Sequence, residues 1–185
     1  MAMLITIINK SKYAHGFFPG NGIFLIKIMF GKLDVAQIEE VLHHQIVGRI
    51  GCHADGTTYV VPISFTYDGQ YIYAHTSEGM KVNIMRKNAK VCFQTDRMQD
   101  MGNWQSVITW GEYEELNDPG ERAAALEKLF GRVLPIVSSE TTHLSDHWPF
   151  PSTDLNNIKG IVFRIKLAEK TGRYEKITLR PIYAS

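Results

Sequence analysis

The chain has 185 residues, 20 basic against 19 acidic side chains, and 44% hydrophobic residues. That suffices for one domain with a real core, and a net charge of +1 with mixed signs lacks the concentrated basic face that nucleic acid requires. No apolar run reaches the ~18 residues of a membrane helix, and two cysteines make no disulfide framework, so the expectation is a cytoplasmic protein without a membrane or nucleic-acid partner.

Residues 1–28 are apolar but interrupted by Lys10, Lys12, Lys27 and a Gly-Pro cluster from Gly16 to Gly22. They form neither a spanning helix nor an ordered signal peptide. They are read as an extension upstream of a natural start at Met29. Asp34 and Gln37 then form a capping-box-like helix start, and Ile38, Val41 and Leu42 recur at helical spacing to about His44.

The centre of the chain runs from Gly48 to Thr95. Strand-like runs at Gly48–His53, Thr57–Tyr67 and Gln70–Thr76 are separated by Asp55-Gly56 and Asp68-Gly69, the strongest short hairpin signal. Cys52 and Cys92 read as small buried hydrophobes. Pro62 cannot donate to a ladder, so its strand is an edge there or the ladder opens, freeing backbone groups for a ligand. Tyr71, Tyr73 and His75 share one face of the next strand; Ile72, Ala74 and Thr76 share the other.

The turn Ser77-Glu78-Gly79-Met80-Lys81 follows. Ser77 is the expected N-cap of a helix to about Lys87. A helix N-terminus, a bare Gly79 and the Lys81 cation together suit a phosphate. Taken alone, the same turn also reads as a solvated helix start whose lysine faces water.

Lys90–Thr95 is a further strand, Asp96–Asn103 a polar loop, and Trp104–Leu116 a long strand in which Gly111 marks a bulge or close approach. Asp118, Pro119 and Glu121 start a helix to about Phe130, with Gly131 as its cap. Residues 134–157 read as a long loop. There His143 and His147 stand four apart around Asp146, but Pro149 and Pro151 cut the helix that would align them, so no metal site is assigned. A strand at Gly160–Ala168, a turn at Thr171-Gly172 and a tail close the chain. The fold class is mainly β: about six antiparallel strands in a small barrel with flanking helices.

The order VGRIG, VPISF, H-x-S-x-G-x-K and W-x-S-V, with a late VFRIKLAEKTGRYEK, resembles the pyridoxamine 5′-phosphate oxidase-like flavoproteins, most closely their nitroimidazole-resistance branch. The resemblance covers about Phe30 to Lys176. It implies a split β-barrel over residues 29–185, a homodimer, and FMN at the subunit interface. By position, Val61, Pro62, Ile63 and Ser64 would lie along the flavin ring. His75 and Thr76 would flank the ring or ribityl chain, with His75 as the catalytic candidate that donates a proton or only orients the cofactor. Met80 and Lys81 match the basic pair that grips the phosphate. Met80 departs from that pattern, which leaves Lys81, the helix N-terminus and Arg86. Trp104, Gln105 and Ser106 would reach the flavin from the partner subunit.

The ending GRYEKITLRPIYAS does not match the oxidases' substrate-reading motif, so pyridoxamine phosphate oxidation is not expected. The implied chemistry is reduction of small electron-poor substrates such as nitroimidazoles. The alternatives are a flavin-binding protein without turnover, a haem-binding or haem-degrading relative on the same barrel, and a deazaflavin in place of FMN. The Lys81 turn favours a phosphate-bearing ligand over haem.

Overall fold

The computed structural model describes residues 5–7, 13–17, 23–131 and 158–182, with side chains from 27 to 131 and 158 to 178. In chain order the elements are β1 (Ile5–Ile7), β2 (Tyr13–Phe17), β3 (Ile23–Lys32), α1 (Val35–His44), β4 (Val47–Ala54), β5 (Thr57–Tyr67), β6 (Tyr71–Thr76), α2 (Met80–Lys87), β7 (Lys90–Asp100), β8 (Asn103–Glu115), α3 (Pro119–Phe130) and β9 (Ile161–Ile182). The strands pair in the order β1-β2-β3-β9-β6-β5-β4-β7-β8, and β8 pairs back onto β9. Six of them, β4 to β9, therefore close a ring, as the strand count anticipated.

Local chemistry accounts for the central elements. Asp55 and Gly56 both take positive φ, 50° and 75°, the pair a tight hairpin turn requires. At the next turn Asp68 Oδ1 accepts from the Gln70 and Tyr71 amides at 3.1 and 2.9 Å, and Gly69 supplies φ 99°. Asp34 and Gln37 form the full capping box of α1. Asp118 caps α3 by accepting from the Glu121 amide at 2.9 Å, with Pro119 in the first turn and Gly131 at the C-cap.

Burial follows the strand alternation. Ile50, Phe65, Ile72, Phe93, Val107, Phe163 and Ile165 fill the barrel, closed by Val41 and Leu42 of α1 and by Val82 and Met85 of α2. A second core outside the wall joins Tyr73, Leu116 and Val162 to Ala125, Leu126 and Leu129 of α3. The two faces assigned to β6 thus serve two different cores.

Several expectations are corrected. Asp96–Asn103 is not a loop: β7 continues to Asp100, and β8 begins at Asn103 after a turn in which Asp100 Oδ1 accepts from the Gly102 amide at 2.8 Å. This arm reaches beyond the barrel, so its end is exposed and loses the apolar alternation that betrays a strand. Thr171-Gly172 is not a turn either. β9 runs unbroken past it, with Gly172 opposite Val107, and a Cβ at Gly172 would lie 2.7 Å from Leu33. The glycine answers close packing, not chain reversal. Apart from these corrections, β3 pairs with β9 from Ile23 to Lys32, a run that contains Met29. Cys52 is buried as expected, but Cys92 points to the outer face and is only partly covered. His143, Asp146 and His147 lie outside the described residues.

No helix among the described residues is long and apolar enough to cross a membrane, and no metal-holding group of His, Cys, Asp or Glu occurs among them.

Candidate functional site

The ring opens beside Pro62. The Phe65 amide donates to the Ile46 carbonyl at 2.9 Å, which sets the parity of the β4–β5 ladder. Odd residues of β5 then bond toward β4, and Thr58, Val60, Pro62 and Ser64 present their backbone groups to the opposite side. On that side β6 joins β5 only from Phe65 to Tyr67. The edge from Thr58 to Ser64 therefore has no strand against it among the described residues. Pro62 faces that open edge, so its missing N–H costs no ladder bond. Val61 is half-buried and Ile63 buried. Ser64 Oγ donates to the Ile46 carbonyl at 3.3 Å.

β6 itself ends in the turn that starts α2. The N-cap is Gly79, with no side-chain cap, not Ser77. The helix begins at Met80, which leaves Ser77 two residues too early to reach its amides. A Cβ built at Gly79 meets nothing within 4 Å, so the space over the first turn is open. The first-turn amides have no partner within the helix and carry the positive end of its dipole. Lys81 is half-buried and pairs with no carboxylate among the described residues. Its charge reaches Cys52 of β4, where it opposes the rise that burial imposes on the thiol. Met80, the departure from the paired cations, is 51% exposed. Arg86 is engaged elsewhere, between Glu78 and Glu115.

His75 and Thr76 part company. Thr76 is buried, and its hydroxyl donates to the Ser77 carbonyl at 3.3 Å. His75 turns outward, and its Nε2 lies 2.6 Å from the Lys159 carbonyl, which requires the proton on Nε2. Burial lowers its pKa, the nearby Arg122 charge lowers it further, and the carbonyl acceptor works against both. Gly160 takes φ 103°, and a Cβ there would lie 2.8 Å from the His75 ring. Arg122 donates to the Ile158 carbonyl at 2.6 Å, so consecutive carbonyls leading into β9 are held by α3 and β6.

Trp104, Gln105 and Ser106 lie on β8, which follows β5, β4 and β7 around the ring, three strand spacings or roughly 14 Å from the open edge. Trp104 donates to Glu175 at 3.1 Å and meets Phe30 edge-on, centroids 6.0 Å apart. Gln105 lines a cavity of about 410 Å³ with Arg97, Tyr174 and Lys176. Ser106 accepts from Gln94 Nε2 at 3.1 Å. Within one chain, β4 and β7 thus stand between β5 and the strand that carries Trp104–Ser106.

Sequence reasoning missed what joins these places across the outer face. The register sets Pro62, Arg49, Gln94 and Ile108 in one row and Val60, Gly51, Cys92 and Trp110 in the next. Arg49 and Gln94 both donate to Asp96 Oδ1, at 2.6 and 2.8 Å. Val60 is 62% and Trp110 42% exposed. The available signal was strand parity: Ile108 and Trp110 alternate with the buried Val107 and Thr109.

The family profile for pyridoxamine 5′-phosphate oxidase matches residues 34–174. An uncharacterised protein of Rhizobium meliloti (strain 1021) is 28% identical over 127 residues, 69% of this chain and 83% of that protein. A FAD-binding protein from Mesorhizobium loti has a similar structure, with TM-score 0.62 and 29% identity over 80% of this chain and 98% of that one. A candidate 5-nitroimidazole antibiotic resistance protein from Bacteroides thetaiotaomicron superposes with TM-score 0.60 at 20% identity, covering 85% and 95% of the two chains, a likeness of fold.

Proposed function

The chain belongs to the pyridoxamine 5′-phosphate oxidase family, and from that premise we propose that it is an FMN-binding oxidoreductase that reduces small electron-poor substrates such as nitroimidazoles. The observations that carry the reading are two: a β5 edge left open from Thr58 to Ser64, and, after β6, a helix N-terminus whose Lys81 has no carboxylate partner among the described residues. The edge offers alternating backbone donors and acceptors to the polar rim of a planar ring. Gly79, the first amides of α2 and Lys81 offer a place for one phosphate. The flavin, when bound, supplies the hydride and electron chemistry, and the protein supplies position and electrostatics.

The residues divide the work as follows. Val61 to Ser64 bind along the ring, Thr76 braces the turn beside it, and Lys81 holds the phosphate. Met80 brings no charge, so the grip rests on one lysine. His75 holds the end of β6 to Lys159 through Nε2, so a proton passed to substrate would travel through Nδ1. Trp104, Gln105 and Ser106 cover the flavin from the second subunit of a homodimer. The outer rows containing Val60, Ile108 and Trp110 form the dimer contact, an apolar surface beside the open edge.

An absorbance spectrum of the purified protein, before and after FMN addition and removal of excess, tests the reading. Retained flavin bands at about one per chain support it, followed by NAD(P)H-dependent loss of a nitro substrate. A protein that retains no flavin but gives a Soret band with haem would overturn it.

A further inference from the structure

Arg86 is the cation one would recruit to replace the charge missing at Met80, yet its guanidinium is engaged from both sides. Nη1 and Nη2 donate to the two oxygens of Glu78 at 3.0 and 2.8 Å. Nε and Nη2 donate to those of Glu115 at 2.6 and 3.0 Å. Glu78 belongs to the turn ahead of α2. Glu115 ends β8, is 19% exposed, and also accepts the Tyr113 hydroxyl at 2.8 Å. The series runs from turn to helix to barrel wall through one planar fork, a geometry that lysine cannot copy.

The turn has little else to hold its shape. Gly79 has no side chain, α2 has no side-chain cap, and the Thr76 hydroxyl on the Ser77 carbonyl is the one side-chain tie at Ser77 among the described residues. Swinging Arg86 toward a phosphate would give up four charge-assisted bonds and leave Glu115 without its cation. With two carboxylates on one guanidinium, the cluster also adds no net positive charge.

We propose that Arg86 is a positioning residue: it clamps the Ser77–Gly79 turn to β8 through Glu78 and Glu115, and so fixes the phosphate-facing amides without touching the phosphate. This rests on the reading of that turn as the flavin phosphate site. It assigns the affinity for the phosphate to backbone and Lys81, with Arg86, Glu78 and Glu115 setting their geometry.

The test uses Arg86→Lys and Glu115→Gln in the full chain, with melting curves to confirm folding. Amide hydrogen exchange at residues 77–81 is measured without flavin, then FMN and riboflavin are titrated separately. Both variants are expected to exchange faster at these amides. They should bind FMN about three- to fivefold more weakly, the scale of an ion-pair network, and riboflavin within about twofold of wild type. Unchanged exchange overturns the clamp, as does full rescue of FMN binding by lysine. Tighter FMN binding in Glu115→Gln would make Arg86 a phosphate ligand freed by the loss of its competitor. Wild-type protein that binds neither flavin overturns the flavin reading instead, and the exchange result then decides the clamp by itself.

Discussion

Lys81 and His75 flank the same turn, and their surroundings give them different work. Lys81 keeps its cation beside an open helix N-terminus, so Lys81→Ala should weaken FMN binding about tenfold or more, as the loss of a charge-assisted hydrogen bond does. Fluorescence titration against FMN and riboflavin checks this, and riboflavin affinity should hardly move. His75 is half-buried on a carbonyl near Arg122, and its pKa lies below the usual value. The folded state therefore favours the neutral ring. Its contribution is full above the unfolded value of about 6.5 and is lost as pH falls through the lower folded value. Urea midpoints should drop between pH 7 and pH 5. His75→Gln, which keeps a donor for Lys159, should flatten that slope; an unchanged slope would place the acid sensitivity elsewhere.

At the scale of elements, two residues that look like interruptions are built-in features. Pro62 sits at the parity that faces the open edge, so Pro62→Ala restores an N–H that no strand among the described residues receives. Its stability should stay within about 1 kcal/mol of wild type. Gly111 marks the register shift of β8 against β9, and a Cβ there would lie 2.3 Å from the Lys166 carbonyl. Backbone cannot yield as a side-chain tip can, so Gly111→Ala should cost about 2–3 kcal/mol in urea unfolding. Both features were legible in the sequence, because proline's missing donor and glycine's missing Cβ act locally. The end of β7 was not, because an arm projecting past the barrel keeps its ladder without burying a face.

For the whole molecule, the proposed dimer rests on the outer wall of β5, β4, β7 and β8. Val60 and Trp110 stand exposed in one register row, with the apolar Cys92 between them and the polar row of Arg49 and Gln94 alongside. Trp110→Glu should convert the proposed dimer to monomer by light scattering at micromolar concentration. Flavin retention should fall with it, if Trp104–Ser106 cover the flavin from the second subunit as proposed. A monomeric wild type would remove the second subunit from the site.

By itself the sequence determined the elements whose signals are local: the Asp-Gly turns, the caps of α1 and α3, the strand alternation, and the opening at Pro62. These rest on backbone dihedrals and hydrogen bonds that a few neighbouring residues settle. Tertiary structure decided where β9 runs, why Gly172 is a glycine, which face of β6 carries His75, and that Arg86 belongs to Glu78 and Glu115. Each of these depends on a partner distant in the chain — Leu33 for Gly172, Lys159 for His75, Glu115 for Arg86 — and closure of the ring is what brings such partners within reach.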